Sequence, residues 1–557
     1  MAVQEVDVLM IGAGPANLAL AVAIEESGSQ RLAGDALVLE QHADVKWQRN
    51  LLLPWARSQV SFLKDLVLLR NPRSRFSFLN FLHEKGELDS FVNLGTFNPY
   101  RWQLSAYQQW VAESLEHVAI RYNARATRVD PRLADDGSVV GWTVTLADGD
   151  SMRCRDLVIG AGRDAHVPEV FRGLPEDRVI HSTQYCSRIG RVPTDRPVRA
   201  VVVGGAQSAA EMFMALHQEL PLCEPTMVMR SIGLQNYQTS KFVNELFSPA
   251  FVDEFYNMMP DARGQVLEEM HLTNYAGLAP PFLDEMYSML YQQKMLGQRR
   301  STVRSLTEVV GARLADDEVI LDLRDRKSGK VEPLPCDLVL LGTGYDSRMP
   351  GMVRDLFERM GLDDVVANRR YRVDLGDSAL AAVYLQGVNE QTHGIADSLI
   401  SVLAHRSQDI TSDLLDRRSV DHSVTDTDRD REETVVEIRA LDPSNLTRAY
   451  GLDSQRLLPW PTLNAPFEGA WCVLRPGDES TAHAHHEYEI FIAMTGGSTL
   501  EVDGRRFEFV AGDIIHLPPG CTHRVINGGS EDFQYYGIWW DTDMADKFLI
   551  RHEEQAG

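Results

Sequence analysis

The stretch Val6-Asp7-Val8-Leu9-Met10-Ile11-Gly12-Ala13-Gly14-Pro15-Ala16-Asn17 constrains the fold of this chain more than any other. An apolar run of strand character passes at once into a glycine turn, and Leu18 to Ile24 then reads as a helix. Gly12, Gly14 and Pro15 make a turn whose backbone can approach a pyrophosphate, and the following helix start offers free N–H groups and a positive dipole end. Glu40 ends the next apolar strand, Ala36-Leu37-Val38-Leu39, where an acid can hold a ribose hydroxyl. It lies somewhat further on than the roughly 20 residues usual for that acid. An ordinary tight βα turn is the competing reading; strand, helix and acid together favour dinucleotide binding.

A second turn of this kind begins after the strand Val201-Val202-Val203, with Gly204-Gly205-Ala206-Gln207-Ser208 leading into a helix. Ala206 stands at the second glycine position, so the motif is degenerate. Arg230 ends the strand Thr226-Met227-Val228-Met229. A cation there suits a 2′-phosphate and so NADPH over NADH, the alternative being a plain surface charge. Asp156 to Gly162 and Asp337 to Tyr345 read as strands returning to glycine turns, and Gly387 to Gly394 leads into a helix from Ile395 to Arg406. Arg101 to Val111 also looks helical, and Arg121 to Leu146 reads as a β-meander. Two interleaved Rossmann-like units of an α/β fold describe a flavoprotein that also takes a nicotinamide cofactor.

A chain of 557 residues holds two to four domains. A net charge of -25 argues against a nucleic-acid partner, which needs basic patches. No apolar run reaches membrane-spanning length, and the N-terminus carries no signal-like stretch, so no membrane association and a cytoplasmic location are expected. Six cysteines without a C-x-x-C pair read as reduced, mostly buried thiols. From about Leu415 to Glu433 the composition turns charged and poor in apolar residues, the mark of a solvated linker. Short strands with glycine turns beyond it suggest a separate β domain.

Several further segments are more specific than the glycine turns: Ser61-Phe62-Leu63-Lys64-Asp65-Leu66, Phe78-Leu79-Asn80, Asn93-Leu94-Gly95-Thr96-Phe97, Phe242-Val243-Asn244-Glu245-Leu246-Phe247, Thr273-Asn274-Tyr275 and Thr392-His393-Gly394. With them the first 410 residues or so resemble the flavin-dependent N-hydroxylating monooxygenases, especially the L-ornithine N5-monooxygenases of siderophore biosynthesis. The resemblance implies FAD and NADPH as cofactors, dioxygen as co-substrate and the side-chain amine of an amino acid as substrate. It implies that Lys64 and Asn244 hold the substrate carboxylate, that Asn274 helps with the amino-acid backbone and that Ser401 lines the flavin and substrate site. On pattern alone Lys64 reads equally as a snorkelling surface lysine. Trp47, Gln48 and Gln59 are expected on the flavin side and Gln207, Ser208 and Arg230 on NADPH, while Asp337 and Tyr345 match the family's Asp…Thr-Gly-Tyr segment. Tyr237-Gln238-Thr239-Ser240-Lys241 replaces a common Asp-Asp-Ser-Pro loop, and Gln48 replaces a histidine, so lysine and arginine stay open as substrates beside ornithine. The resemblance also implies a homo-oligomer, dimer or tetramer.

Near the C-terminus His483, His485, Glu489 and His523 stand among glycines and prolines (Gly477, Gly496, Gly512, Pro518, Gly520) at spacings that resemble both halves of the cupin signature, a small all-β barrel. Alternation puts the two close histidines and Glu489 on one strand face, and a partner strand would bring His523 across. Three imidazoles and a carboxylate suit a divalent Fe, Mn, Ni or Zn ion, the alternative being a metal-free cupin with polar histidines. His486 reads as a surface residue, Asp513 and His516 as turn and packing residues. The expected layout is a monooxygenase over 1–414 (FAD parts 1–185 and 335–414, NADPH part about 190–334), a charged linker over 415–436 and a cupin over 437–557. The fusion suggests that the cupin takes the hydroxylamine onward, by N–N bond formation or rearrangement. The alternatives are a cupin that only binds ligand, or an NADPH-dependent flavin reductase with a sensory cupin.

Overall fold

The first strand, β1 (Gln4–Ile11), is exposed at its start and buried from Val8 to Ile11, the pattern of a central strand covered on both faces. This computed structural model describes residues 4–424 apart from 239, 276, 363, 364, 377 and 378, and residues 446–449, 451–456 and 467–540. The chain divides into two units, 1–427 and 428–557.

In the first unit, β1 leads through the glycine turn into α1 (Pro15–Glu25), with Gly14 at the cap and Pro15 in the first turn. Every residue from Asn17 to Ile24 is buried, an apolar helix wrapped on all sides. β2 (Ala36–Leu39) pairs parallel with β1. α2 (Arg101–Ser114) then carries the chain to the far edge, where β3 (Ala119–Arg121) pairs parallel with β2. The expected meander is therefore shorter at its start: β3 belongs to the parallel part of the first sheet. β4 (Ala126–Leu133), β5 (Val139–Leu146) and β6 (Ser151–Ile159) form the antiparallel run. The sheet order is β3-β2-β1-β6-β5-β4.

A second sheet follows. β7 (Val179–His181), β8 (Val198–Val203), α3 (Gln207–Glu219), β9 (Cys223–Val228), β10 (Thr302–Arg304) and β11 (Leu338–Leu341) build a five-stranded parallel sheet in the order β10-β9-β8-β11-β7. Four helices between Lys241 and Met295, and a three-stranded antiparallel sheet between Thr307 and Cys336, are inserted in it. The chain then returns: β12 (Val383–Leu385) pairs parallel with the second half of β6 and completes the first sheet.

Two expectations change here. The helix foreseen over 395–406 is two 3₁₀ turns, Ile395–Ser398 and Ile400–Val402, separated by an extended Leu399. A regular helix, α4 (Leu403–Val424), starts only after them and packs on α1. It also runs through the first ten residues of the expected linker. Its charges are not merely solvated: Arg418 reaches Asp7 (2.7 Å) and the buried Asp156 (3.0 Å), Arg370 reaches Asp416 (2.5 Å), and Arg417 donates to Leu380 O (2.9 Å). Residues 425–436 of that linker and 437–445 of the expected cupin lie outside the described residues.

Among its described residues the second unit is all-β. Its strands are β13 (Thr447–Ala449), β14 (Leu452–Arg456), β15 (Glu468–Leu474), β16 (Tyr488–Thr495), β17 (Gly497–Val502), β18 (Arg505–Val510), β19 (Ile514–Leu517), β20 (His523–Ile526) and β21 (Phe533–Trp540). They form a six-stranded sheet in the order β13-β14-β15-β21-β16-β19 and a three-stranded sheet β18-β17-β20, antiparallel throughout. Phe491, Phe509, Phe533 and Tyr535 fill its core with rings 4.7–6.3 Å apart.

All six cysteines are free, five of them buried and Cys186 exposed, as expected. Among the described residues no helix is long and apolar enough to cross a membrane.

Candidate functional site

The first glycine turn is built to be empty of side chains. Gly12 has φ +92°, and a Cβ there would stand 2.9 Å from Gly160 O of the neighbouring turn. At Gly14 a Cβ would meet no protein atom within 4 Å, so the space before the start of α1 is open. Glu40 Oε2 accepts from Ala13 N at 3.0 Å, which ties the acid to the turn, and Oε1 accepts from His42 N at 2.9 Å. Asn17 braces the turn from below, donating to Ile11 O and Gly12 O. A backbone cradle with an acid at the end of the next strand fits a dinucleotide.

The second turn is closed more tightly. Gly204 has φ +140°, and a Cβ on it would run into Gly342 O on the neighbouring strand end. Gln207 and Ser208 open α3 from this turn. Arg230 is exposed two residues past β9, and Arg326 donates to its carbonyl at 2.6 Å, so two guanidinium groups share that strand end. Arg326 arrives from the inserted antiparallel sheet, and nothing local in the sequence marks it.

Asp337 departs from its expected place at a cofactor. It stands before β11, at the end away from Gly342 and Gly344. Burial pushes its carboxyl up, but three hydrogen bonds from Arg199 (2.8, 3.0 and 3.2 Å) outweigh that and hold it below the ordinary value. Its work is to pin β8 to β11. Nucleotides lie at the carboxyl ends of parallel strands, and Asp337 is at the other end. Tyr345 is exposed and its backbone bridges to Ala165.

Trp47 is half-buried against the core beside α1. Gln48 is exposed with φ +51° and caps the short turn Arg49–Leu51. Gln59 is exposed and donates to Gln207 Oε1 at 3.2 Å. This links the loop that carries Gln59 to the second glycine turn.

Lys64 closes the 3₁₀ turn Phe62–Lys64, capped by Ser61 Oγ. Asp65 locks the chain behind it, accepting from Val67, Leu68 and Phe78 N–H groups. Lys64 is half-buried, its ammonium makes no hydrogen bond or ion pair within the described residues, and burial lowers its pKa from the ordinary lysine value. A cation so placed calls for an anionic partner. A cavity of about 10 Å³ beside it is lined by Ser61, Gln108 and Ile400 among others. Gln108 Oε1 is buried there without a hydrogen bond. Gln108 escaped the sequence reading because, within the periodicity of α2, it looks like any other helical position.

The turn bearing Lys64 packs on the turn Ile400–Val402, which carries the buried Ser401. That segment shares one apolar core with Val243 and Leu246, which flank Asn244, and with Met270 and Tyr275 around the end of the helix Pro260–Asn274. Asn244 itself is exposed, and the side chain of Asn274 lies outside the described residues. Tyr275 donates to Glu390, which also pairs with Arg163 at 3.3 Å. The turns of Lys64 and Ser401 thus meet from distant parts of the chain, and the neighbours of Asn244 share the apolar core of Val402. A cleft of about 530 Å³, lined by Gln235, Asn236, Gln238 and Asp284 among others, opens beside the residues that follow Arg230.

In the second unit the rings of His483, His485 and His523 offer nitrogen atoms that all lie within 4.8 Å of one another. Glu489 Oε2 is 3.2 Å from His485 Nε2 and 3.1 Å from His523 Nε2. His483 and His485 do not lie on a regular strand. Their segment meets β20 by single bridges, His483 to His523 and Glu479 to Ile526. His483 Nδ1 lies 2.9 Å from Thr481 O and His523 Nδ1 lies 3.1 Å from Cys521 O. Each Nδ1–H donates to a carbonyl, which leaves each Nε2 as a lone-pair donor. His523 Nε2 is buried and makes no hydrogen bond, although the carboxylate is near. Three imidazoles facing one carboxylate, with His523 and Glu489 buried and Nδ1 of His483 and His523 each tied to a carbonyl, fit a divalent metal ion. His486 is exposed, and Asp513 closes a turn by accepting from Val510 N at 2.9 Å.

Residues 4–347 match the family described as L-lysine 6-monooxygenase/L-ornithine 5-monooxygenase, and residues 470–540 match the cupin domain. An L-ornithine N(5)-monooxygenase of Pseudomonas aeruginosa is 36% identical over 417 residues, covering 73% of this chain and 93% of that protein. A solved ornithine hydroxylase from the same organism superposes with a TM-score of 0.69 at 35% identity, covering 74% of this chain and all of that one. A Kutzneria ornithine N-hydroxylase, solved with reduced FAD, NADP+ and L-ornithine, gives 0.70 at 32% identity over 74% of this chain and all of that one.

Proposed function

The chain belongs to the L-lysine 6-monooxygenase/L-ornithine 5-monooxygenase family, and on that premise we propose that it hydroxylates the side-chain amine of L-ornithine and passes the product to a metal-bearing cupin. The observation that carries the first half is Lys64: a half-buried, unpartnered cation beside the buried Ser401 segment. L-Lysine and L-arginine are the nearest competing substrates.

The first cradle suits FAD and the second NADPH, with Arg230 and Arg326 disposed for a 2′-phosphate. When bound, FAD reduced by NADPH supplies the activated oxygen. The protein supplies position and dryness. Lys64 and Asn244 hold the substrate carboxylate, Asn274 helps with the amino-acid backbone, and Ser401 lines the place where the amine must arrive neutral. Ile400, Val402 and Leu399 keep that place apolar, which favours the uncharged amine over the ammonium.

In the cupin, His483, His485, Glu489 and His523 would hold the ion, which supplies a Lewis-acid centre for a hydroxylamine oxygen. The cupin then acts on the N-hydroxy amino acid, by N–N bond formation in which a second amine attacks the nitrogen and the hydroxyl oxygen leaves as water, or by rearrangement, in siderophore or natural-product biosynthesis. Tyr287, Tyr291 and Met295 lie exposed along one face of the helix Pro280–Met295, which supports a homo-oligomer, dimer or tetramer.

The test supplies NADPH and oxygen with ornithine, lysine or arginine in turn and follows products by mass. A gain of one oxygen on ornithine alone supports the first half. A further product that vanishes in His483→Ala supports the second. NADPH consumption that no amine accelerates defeats the reading.

A further inference from the structure

A buried pair of charges joins the two nucleotide-binding parts of the first unit. Arg101 of α2 meets Glu211 of α3 through two hydrogen bonds, Nη1 to Oε2 at 2.9 Å and Nη2 to Oε1 at 2.6 Å, with side chains 6% and 1% exposed. Arg101 Nη1 also donates to Leu51 O at 2.9 Å. Glu211 lies one turn after Gln207, at the start of the helix that leaves the second glycine turn.

The pair has a directional consequence. A carboxylate only accepts hydrogen bonds, so Gln207 must turn its NH₂ group towards it, and Nε2 donates to Glu211 Oε1 at 2.9 Å. The other end of that amide, Oε1, becomes an acceptor. It takes Gln59 Nε2 at 3.2 Å and Ala279 N at 3.2 Å. Gln59 has then committed its NH₂ group to Gln207, and its carbonyl oxygen points the other way. One carboxylate, held by one guanidinium, decides the orientation of two successive amides and ends on the flavin-side loop.

We propose that Glu211 is a positioning residue that acts through Gln207 to make Gln59 present its carbonyl oxygen to the flavin. This rests on the reading that Gln59 lies beside FAD. A reduced flavin carries ring N–H protons that the oxidised ring lacks, so an acceptor facing the ring favours the reduced form. The nucleotide helix that receives NADPH thereby sets the poise of the flavin it reduces.

The test is a dye-coupled reductive titration of the FAD-loaded full chain without NADPH, on Gln59→Leu, Gln207→Leu, Glu211→Gln and the Gln59→Leu/Glu211→Gln double variant. Each single variant is expected to lower the ratio of reduced to oxidised flavin about tenfold at a given potential, the worth of one ordinary hydrogen bond. The double variant is expected to match Gln59→Leu alone, because the two residues act in series. Additive effects in the double variant overturn the proposal, as does a Gln207→Leu protein with an unmoved potential. Gln207→Leu leaves the Arg101–Glu211 pair intact, so it reads the relay even where Glu211→Gln fails to fold. An unmoved potential in Gln59→Leu overturns the proposal together with the placement of Gln59 at the flavin. An unaltered chain that takes up no FAD instead removes the proposed function itself.

Discussion

The Asp397 carboxylate and the Arg406 guanidinium meet at 2.8 Å with 0% and 1% of their side chains exposed. Arg406 also donates to Gln386, and Gln386 to Asn17, which holds the first glycine turn. Asp397 caps the other side by accepting from Asn389 N. Removing one partner leaves a buried charge unpaired. Asp397→Ala is therefore expected to cost about 3–5 kcal/mol, read as a lowered denaturant midpoint of the monooxygenase transition, with faster loss of FAD. A midpoint within about 0.5 kcal/mol of the parent would show that the pair holds neither the fold nor the turn.

His393 predicts an acid-sensitive stability. It is buried, stacked on Tyr371 at 4.1 Å, and burial pushes its pKa down to about 4. The unfolded chain takes up a proton at this residue near pH 6.5 while the folded chain does not. Stability from this group is complete above about pH 6.5 and is lost as the pH falls towards 4, by up to about 3 kcal/mol. His393→Phe should flatten that part of a stability-against-pH curve. An unchanged slope would mean that the ring titrates normally in the fold.

Lys64→Ala should raise the KM for the amino acid about 10- to 100-fold, the range for a hydrogen bond to a charged group, while NADPH is still oxidised. Burial lowers the Lys64 pKa, so in the free enzyme the cation is lost at a lower pH than for an ordinary lysine. The parent kcat/KM should thus fall on its alkaline side earlier than substrate ionisation alone would cause. Lys64→Ala should lose that limb. A KM that does not move defeats the carboxylate role.

Arg230 and Arg326 should divide the recognition of the 2′-phosphate. Arg230→Ala with Arg326→Ala is expected to reduce the preference for NADPH over NADH by about 100-fold or more, and each single change by about tenfold. The comparison is of kcat/KM for the two nucleotides. Equal losses on both would assign the arginines to folding instead.

The cupin should carry about one divalent ion per chain, lost on His523→Ala and on His483→Ala, with N-hydroxylation intact in both. Chelation should lower the thermal transition of the second unit, since an ion that binds only the folded state adds to its stability. Metal analysis that finds none in the unaltered protein would leave the histidines as polar lining.

What could be read from the sequence is what short stretches of chain determine. A glycine turn between strand and helix is set by a few adjacent residues, and Gly12, Gly14 and Glu40 stand together as their order implied. The His-x-His pair, Glu489 and His523 likewise converge, although the histidines come from an irregular segment. The misses depend on partners far away in the chain. Asp337 carries a motif position but spends its carboxylate on Arg199. Arg326 and Gln108 acquire meaning only when the inserted sheet and α2 are laid beside the turns. The charged stretch after Leu415 looks like a linker until Arg418 is seen to reach Asp7 and Asp156, more than 250 residues earlier.

The late return of β12 to β6 has a consequence for how this protein is made. A ribosome has finished every strand of the second sheet, β7 to β11, before the first sheet receives β12 and before α1 receives α4. During that interval half of β6 presents an open edge and the apolar face of α1 is uncovered. The second sheet can mature on the growing chain, whereas the first must wait for β12 and the packing of α1 for residues beyond 400. A nascent chain stalled between them would be a holding substrate for chaperones, with the first glycine cradle half-built.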